Sequence, residues 1–252
     1  MNVDVRPQPD AAKGPLTLAI DIGGTGLKGA VLDATGAPTI DRVRIPTPEH
    51  RTPERVVEAL VGLARQLGHF DRISVGFPGV IRRGIVLTAP HLGTEDWAGF
   101  PLADRLSERL NAPVRILNDA SVQGYGVISG HGIECVITLG TGVGFALYEN
   151  GVLGPHMELG RYPVYKNTLL DDYLGREAFQ KISRKHWNRR VDRVIGYLDT
   201  LTGFDILYIG GGNAKYIALD LPENVRVVSN KAGVTGGIKL WDARNDHAFA
   251  TA

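Results

Sequence analysis

Apolar positions along this chain follow two rhythms, one of strands and one of helices. The run Leu18-Ala-Ile-Asp-Ile22 breaks at a glycine-rich stretch and resumes through Leu27 to Asp33, which predicts two strands joined by a tight turn. Thr39 to Ile45 is expected as a third strand, followed by a link bearing Pro46, Pro48 and Pro53. Val56, Leu60, Leu63 and Leu67 then recur at helical spacing, with Thr52 as N-cap and Pro53 at the first helical position. Arg72 to Phe77 reads as a short strand ending in Pro78-Gly79, and Leu102 to Leu110 as an amphipathic helix. Val114 to Leu117 is a strand that runs into Asn118-Asp119-Ala-Ser121, where a new helix should begin. In α/β folds such junctions gather chemistry, because helix N-termini lie beside the strand ends.

The second half repeats this plan. Val136 to Gly151 has the order seen in Ala19 to Gly36: apolar run, Gly/Thr turn, apolar run, polar turn. The repetition suggests a duplicated unit, hence an α/β fold of two lobes facing one cleft. Val191, Val194, Ile195, Leu198 and Leu201 form a helical stripe that could serve core or interface. Phe204 to Ile209 is a strand leading into Gly210-Gly-Gly-Asn213, a third glycine turn before an expected helix. A last strand, Val225 to Val228, precedes Lys231 to Trp241, whose Gly233, Gly236 and Gly237 would each weaken a lone helix by roughly 1 kcal/mol unless close packing requires them. The expected organisation is a flexible leader over 1–15, a first lobe over 16–120, a second over 121–230, and a C-terminal helix over 231–252 returning toward the first lobe. The Ala248 to Ala252 end is expected to fray.

Composition narrows the function more than it identifies it. With 43% hydrophobic and 22% charged residues and a net charge of +1, the chain reads as an ordinary globular protein with no electrostatic call for nucleic acid or an anionic membrane. No apolar run approaches the roughly 20 residues a membrane span needs, and no signal-peptide core is present. A single cysteine, Cys135, lies in an apolar strand; it excludes internal disulfides and thiolate zinc sites and suits a reducing, cytoplasmic compartment.

The first turn carries candidate chemistry. Gly23, Gly24 and Gly26 would let backbone N–H groups face an anion, Thr25 and Lys28 add a hydroxyl and a charge, and Asp21 at the strand exit could hold a metal ion through water. A plain β-hairpin turn is the alternative from this stretch alone. Neither a P-loop ending in Gly-Lys-Ser/Thr nor a Rossmann turn leading into a helix fits.

Asp21-Ile-Gly-Gly-Thr-Gly-Leu-Lys28, Gly76-Phe-Pro-Gly79, Leu117-Asn-Asp-Ala120, Leu139-Gly-Thr-Gly142, Glu158-Leu-Gly160, Ile209-Gly-Gly-Gly212 and Ala232-Gly-Val-Thr-Gly236 together are far more specific than any one of them. From about Leu16 to Trp241 the chain resembles the ROK family of bacterial sugar kinases, of the actin, hexokinase and Hsp70 fold, and within it the short polyphosphate/ATP glucokinases. The resemblance implies a duplicated actin-like (RNase H-like) fold. It implies a kinase that moves a phosphoryl group from ATP or polyphosphate to a hexose hydroxyl, with Asp119 as general base and Asn118, Glu158 and Gly79 at the sugar. A poor nucleophile such as a sugar hydroxyl independently calls for a carboxylate within about 3 Å to accept its proton. Asn118-Asp119 as simple helix caps is the structural alternative. The first turn, together with Gly140, Thr141 and Gly142, would grip the phosphoryl group, and Gly210, Gly211 and Gly212 match the adenosine segment. Mg²⁺ is the implied cofactor, with Asp21 its best candidate ligand, and zinc is not expected. The family commonly forms homodimers.

Two positions depart from the family pattern. Arg161 stands where histidine usually follows Glu-x-Gly, and His91 replaces a loop asparagine that commonly contacts the sugar. One inference from the pair is an acceptor bearing a negative or acceptor-rich group. Lys166, Lys181, Arg184, Lys185, Arg189 and Arg190 form a candidate basic groove for a polyphosphate donor, or a solvated helix face. The alternative to a kinase is a sugar-binding or regulatory protein that kept the fold without turnover. A DNA-binding repressor is disfavoured because too few residues precede the first strand for a helix-turn-helix module.

Overall fold

Two five-stranded mixed sheets form the framework of the computed structural model, which describes residues 14–229 and 232–249. In the first, β1 (Thr17–Ile22) pairs antiparallel with β2 (Leu27–Leu32), and β3 (Val43–Ile45) extends that edge. The expected strand from Thr39 is therefore shorter: an isolated bridge joins Leu32 to Pro38, and pairing restarts only at Val43. Helix α1 (Pro53–Leu67) crosses this sheet with Val56, Leu60, Leu63 and Leu67 all buried, each contributing about 1.5–3 kcal/mol of apolar burial. Thr52 has the extended backbone of an N-cap, but its side chain makes no capping bond.

β4 (Arg72–Phe77) pairs parallel with β1. A small hairpin of β5 (Ile81–Arg82) and β6 (Ile85–Val86) leads to α2 (Thr94–Trp97) and α3 (Leu102–Leu110). β7 (Val114–Asn118) closes the sheet beside β4, giving the order β3-β2-β1-β4-β7. From its end springs α4 (Asp119–Tyr125).

The second sheet has the same order and the same strand directions. β8 (Ile133–Leu139), β9 (Val143–Glu149) and β10 (Val152–Leu153) are antiparallel neighbours, while β13 (Ile206–Gly210) and β14 (Val225–Val227) run parallel to β8. Between β10 and β13 lie the hairpin β11 (Pro163–Tyr165) and β12 (Thr168–Leu169), then α5 (Leu170–Leu174), α6 (Arg176–Lys181) and α7 (Arg184–Thr202). The α7 stripe resolves as core: Val191, Val194, Ile195 and Leu198 are buried with Trp187, whereas Leu201 is 70% exposed.

Helix α4 is wedged between the sheets. Val122 and Tyr125 share a core with Val136, Ala146, Tyr148 and Tyr208 of the second sheet, and the Tyr148 hydroxyl donates to the Ser121 carbonyl. The segment after residue 231 packs behind it. Here α8 (Ala232–Thr235) is a single turn, followed by 3₁₀ turns over Gly236–Trp241 and Ala243–Ala248, so the expected long C-terminal helix is replaced by tighter, shorter pieces. The reason is contact distance: a Cβ on Gly236 would lie 1.9 Å from the Val122 carbonyl oxygen, and one on Gly237 would lie 3.0 Å from Ala19 Cβ. Ser74 Oγ donates to the Gly237 carbonyl at 2.7 Å. Arg115 reaches Leu240 and Asp246 and lies over the rings of Trp241 and Phe249. Ala248 and Phe249, where the end was expected to fray, pack against this core; 250–252, like the leader residues 1–13, lie outside the described residues.

Candidate functional site

Strand ends of both sheets converge on one pocket of about 270 Å³. Asp21 ends β1's buried run, Asp119 opens α4, and β4 passes between them with Gly76, paired to Asp21 on one side and Leu117 on the other. A Cβ on Gly76 would touch the Asp119 Cα at 3.4 Å, so the bare strand brings the two carboxylates into one space. Burial pushes the Asp119 carboxyl up to about 7, and the negative charges of Asp21 and Glu158 add to the rise against the Ala120 N–H, which donates to Asp119 at 2.8 Å. Lys28 Nζ donates to Asp21 Oδ2 at 2.7 Å.

Asn118 is both cap and lining. Its Oδ1 accepts from the Ala120 N–H at 2.9 Å, its Nδ2 donates to the Gly79 carbonyl at 3.2 Å, and it borders the pocket. The expected residues Asp21, Gly23, Gly24, Thr25, Lys28, Gly79, His91, Asn118, Asp119, Gly140, Thr141, Gly142, Glu158, Gly211 and Gly212 all line this space. Three expected residues do not. Gly26 packs against Arg44, whose Nε would lie 2.7 Å from a Cβ there. Gly210 lies beneath it, where a Cβ would strike Gln123 Nε2 at 2.6 Å. Arg161 sits exposed on the 3₁₀ turn Leu159–Arg161 and reaches the pocket only through its field on Asp171.

Asp171 on α5 was not anticipated. Its Oδ1 accepts from the Val143 N–H at 2.7 Å, fixing the second glycine turn. Burial raises its carboxyl above the ordinary range, while that bond and the nearby His91 pull it back. A Cβ on Gly142 would stand 2.7 Å from Asp171 Oδ1 and 2.9 Å from His91 Nε2, so side chains from both halves of the molecule reach the same point. His156 Nε2 lies 3.4 Å from Glu158. One side of the pocket therefore gathers Asp119, Glu158 and Asp171, a set rich in acceptors for hydroxyl groups.

The other side is built of backbone. The Gly140 N–H bonds the Gly142 carbonyl, the Arg176 N–H bonds the Thr141 carbonyl, and Asn213 ties the third turn to the second through the carbonyls of Leu139 and Gly140. Gly211 has φ +89°, and a Cβ there would lie 2.3 Å from the Leu139 carbonyl oxygen, so only glycine fits this junction. The strand-to-helix turn predicted after Gly212 ends in a single 3₁₀ turn, Ala214–Tyr216. Gln123, one helical turn after Asp119 on α4, lines the pocket with its Nε2 buried and, among the described residues, without a hydrogen-bond partner. Thr138, Arg176 and Asn213 complete this side, and their sequence neighbourhoods carry no signal beyond the glycines beside them.

The chain matches the family model described as the ROK family over residues 17–168. It is 31% identical to the polyphosphate glucokinase of Mycobacterium leprae (strain TN) over 253 residues, covering 90% of this chain and 75% of that protein. Among solved structures it is similar to the inorganic polyphosphate/ATP-glucomannokinase from Arthrobacter sp. strain KM, with TM-score 0.81, 29% identity, and coverage of 89% of this chain and 97% of that one. A ROK family glucokinase from Streptomyces griseus, solved in complex with glucose and AMPPNP, shares the fold at TM-score 0.75 and 21% identity, with 89% and 98% covered.

Proposed function

Because the chain belongs to the ROK family of sugar kinases, we propose that it transfers a phosphoryl group from ATP or polyphosphate to a hydroxyl of glucose or a related neutral hexose, with Asp119 as general base. The observation that carries this reading is the Asp119 carboxyl, poised at about 7 by burial and by Asp21 beside glycine-lined turns. A base of that strength matches the task of accepting a hydroxyl proton near neutral pH. The two sheets of equal order support a duplicated actin-like fold in which the pocket is the cleft between lobes over 16–120 and 121–230.

The pocket is polar along its length. Asp119, Glu158, Asp171 and Asn118 suit the hydroxyls of an uncharged sugar, and three carboxylates would repel an acidic acceptor. Since His91 lines the pocket but Arg161 does not, the expectation of a negative or acceptor-rich group on the acceptor loses one of its two supports, and a neutral hexose is the better reading. Lys28, Arg176 and the N–H groups of the glycine turns suit the donor's phosphates. Gly212, with open space where a side chain would stand, leaves room for a phosphate chain, and the Gln123 amide, without a partner among the described residues, offers it a donor.

In the reaction the hydroxyl oxygen forms a bond to the terminal phosphorus as its proton passes to Asp119, and the bridging P–O bond breaks with its electrons staying on the departing phosphate. Backbone N–H groups, Lys28 and Arg176 would stabilise the charge on the phosphoryl oxygens in the transition state. Asp21 fits a Mg²⁺ that keeps most of its water, the way this ion meets one carboxylate plus substrate phosphates; when bound it would neutralise donor charge. Domain closure would exclude water that otherwise competes as acceptor.

A coupled assay of glucose, mannose and N-acetylated hexoses with ATP and with polyphosphate tests the reading. Sugar phosphate formed by the protein and lost in Asp119→Asn supports it. Hexose binding without product from either donor would replace it with a binding protein.

A further inference from the structure

A second cavity, of about 490 Å³, opens on the flank of the second sheet and is lined by Lys166, His186, Arg189, Arg190 and Arg193 with no carboxylate among its walls. Four of these side chains, three of them arginines, come from α7 at positions 186, 189, 190 and 193, the spacing that places residues on one helix face. Lys166 faces them from the β11–β12 turn, where it adopts φ +45°. Like charges at this spacing repel one another. Among the described residues none of the five is within ion-pair distance of a carboxylate.

The cavity is held in shape rather than left to solvent. Arg190 Nη1 donates to the Tyr173 carbonyl at 2.9 Å and Arg193 Nη1 to the Tyr173 hydroxyl at 2.8 Å. Both tyrosine rings of the wall already carry cations: Arg190 lies over Tyr173, and Lys166 and Arg193 lie over Tyr165. Tyr173 is buried and both rings already meet cations, which leaves a nucleobase less aromatic surface than the stacking platforms of single-stranded nucleic acid sites offer. The basic run of the sequence is split by the fold. Lys181 is paired with Glu177, Arg184 is spent on the rings of Phe179 and Tyr216, and only Lys166, Arg189 and Arg190 of that run face the cavity, joined by His186 and Arg193.

Helix α5 links this cavity to the first pocket. Asp171 and, just beyond the helix, Arg176 line the first, while Thr168 and Tyr173 line the second; the five-residue helix is only about 7.5 Å long. We propose that the cavity of Lys166, His186, Arg189, Arg190 and Arg193 is a binding site for the distal phosphates of a linear condensed phosphate chain. A ligand with one negative charge per repeat and no base satisfies the cations without needing a ring face. The choice of ligand rests on reading the first pocket as a phosphoryl-transfer site; the anionic character of the ligand rests on the cavity alone.

The test compares the full-length protein with a Lys166→Gln/Arg189→Gln double variant, whose altered side chains make no hydrogen bond or ion pair among the described residues. Direct binding of long-chain polyphosphate, tripolyphosphate, MgATP and a single-stranded oligonucleotide is measured without sugar, so a chain lacking turnover still reports. The double variant is expected to lose about tenfold in affinity for long-chain polyphosphate with a shallower salt dependence. Its binding of tripolyphosphate and MgATP, which the first pocket can hold alone, should be unchanged at equal melting temperature. Three outcomes overturn the site: no binding of long chains by the unaltered protein, equal binding by the variant, or oligonucleotide binding that is as tight and is lost by the same double substitution. Failure of the kinase reading would show separately, as absence of sugar phosphate from every donor.

Discussion

Asp21 on β1 and Asp119 at the start of α4 flank Gly76 of the intervening strand β4, and the charge of the first helps hold the second at about 7. Lys28, 2.7 Å from Asp21, keeps the pair from being two bare anions in one pocket.

The pH profile should report that arrangement. Turnover is expected to rise with pH through an apparent pKa near 7, because Asp119 accepts a proton only when ionised. Asp119→Asn should keep hexose binding and lose about 10²–10⁴ in kcat. A profile flat from pH 5.5 to 8.5 with chemistry rate-limiting would remove Asp119 from the role.

Stability carries the opposite sign. The folded-state carboxyl titrates above its unfolded value of 3.8, so between pH 3.8 and 7 the native state holds more protons and stability falls as pH rises. The melting temperature of Asp119→Asn should therefore pull ahead of the parent across that window and hold its lead above pH 7. Equal melting curves at pH 5 and 8 would contradict the buried carboxylate.

Gln123→Ala removes the one buried side-chain amide nitrogen that lacks a partner among the described residues. If that donor turns to the phosphate chain, the donor KM should rise about tenfold, the worth of a hydrogen bond to a charged group, with the hexose KM unchanged. Steady-state kinetics with each substrate varied separately makes the comparison, and a shift confined to the hexose would refute it.

Arg161→Ala and His91→Ala should part company. The exposed guanidinium lies outside the pocket lining, so its loss is expected to change the hexose KM by less than about twofold, whereas loss of the His91 ring, which lines the pocket beside Asp171, should raise it severalfold. Equal effects would restore Arg161 to the acceptor site.

Gly236→Ala tests the packing behind α4. A methyl group 1.9 Å from the Val122 carbonyl forces the backbone to move, and overpacking of this kind costs about 1–3 kcal/mol. Denaturant unfolding should show the loss; a wild-type midpoint would mean the segment is not seated as described.

Local periodicity made the framework legible. Strand β4 and helix α3 match their predicted bounds residue for residue, and α1, β7 and the two glycine hairpins were visible because each carries its own pattern of apolar positions and turn residues. The glycine turns and the strand-to-helix junction at Asn118-Asp119 were legible for the same reason, whereas the role of Asp119 came only from the family resemblance. Asp171, Gln123 and Arg176 were not: each enters the pocket through tertiary approach of a helix, and nothing in Leu170-Asp-Asp or Ser121-Val-Gln announces a neighbour far away in the chain. Arg161 erred the other way. Its position next to a pocket residue in sequence placed it at the sugar, but the 3₁₀ turn directs it outward. The C-terminal segment misled because its glycines answer to contacts with Val122 and Ala19 that helix propensity does not see.

The clasp formed by Arg115, Trp241 and Phe249 has a practical consequence for anyone handling the gene. Every residue lining the first pocket precedes position 214, yet the helix bearing Asp119 leans on Leu240, Trp241 and Phe249. A stop near position 232 would thus spare every residue that lines the pocket and still be expected to score as null.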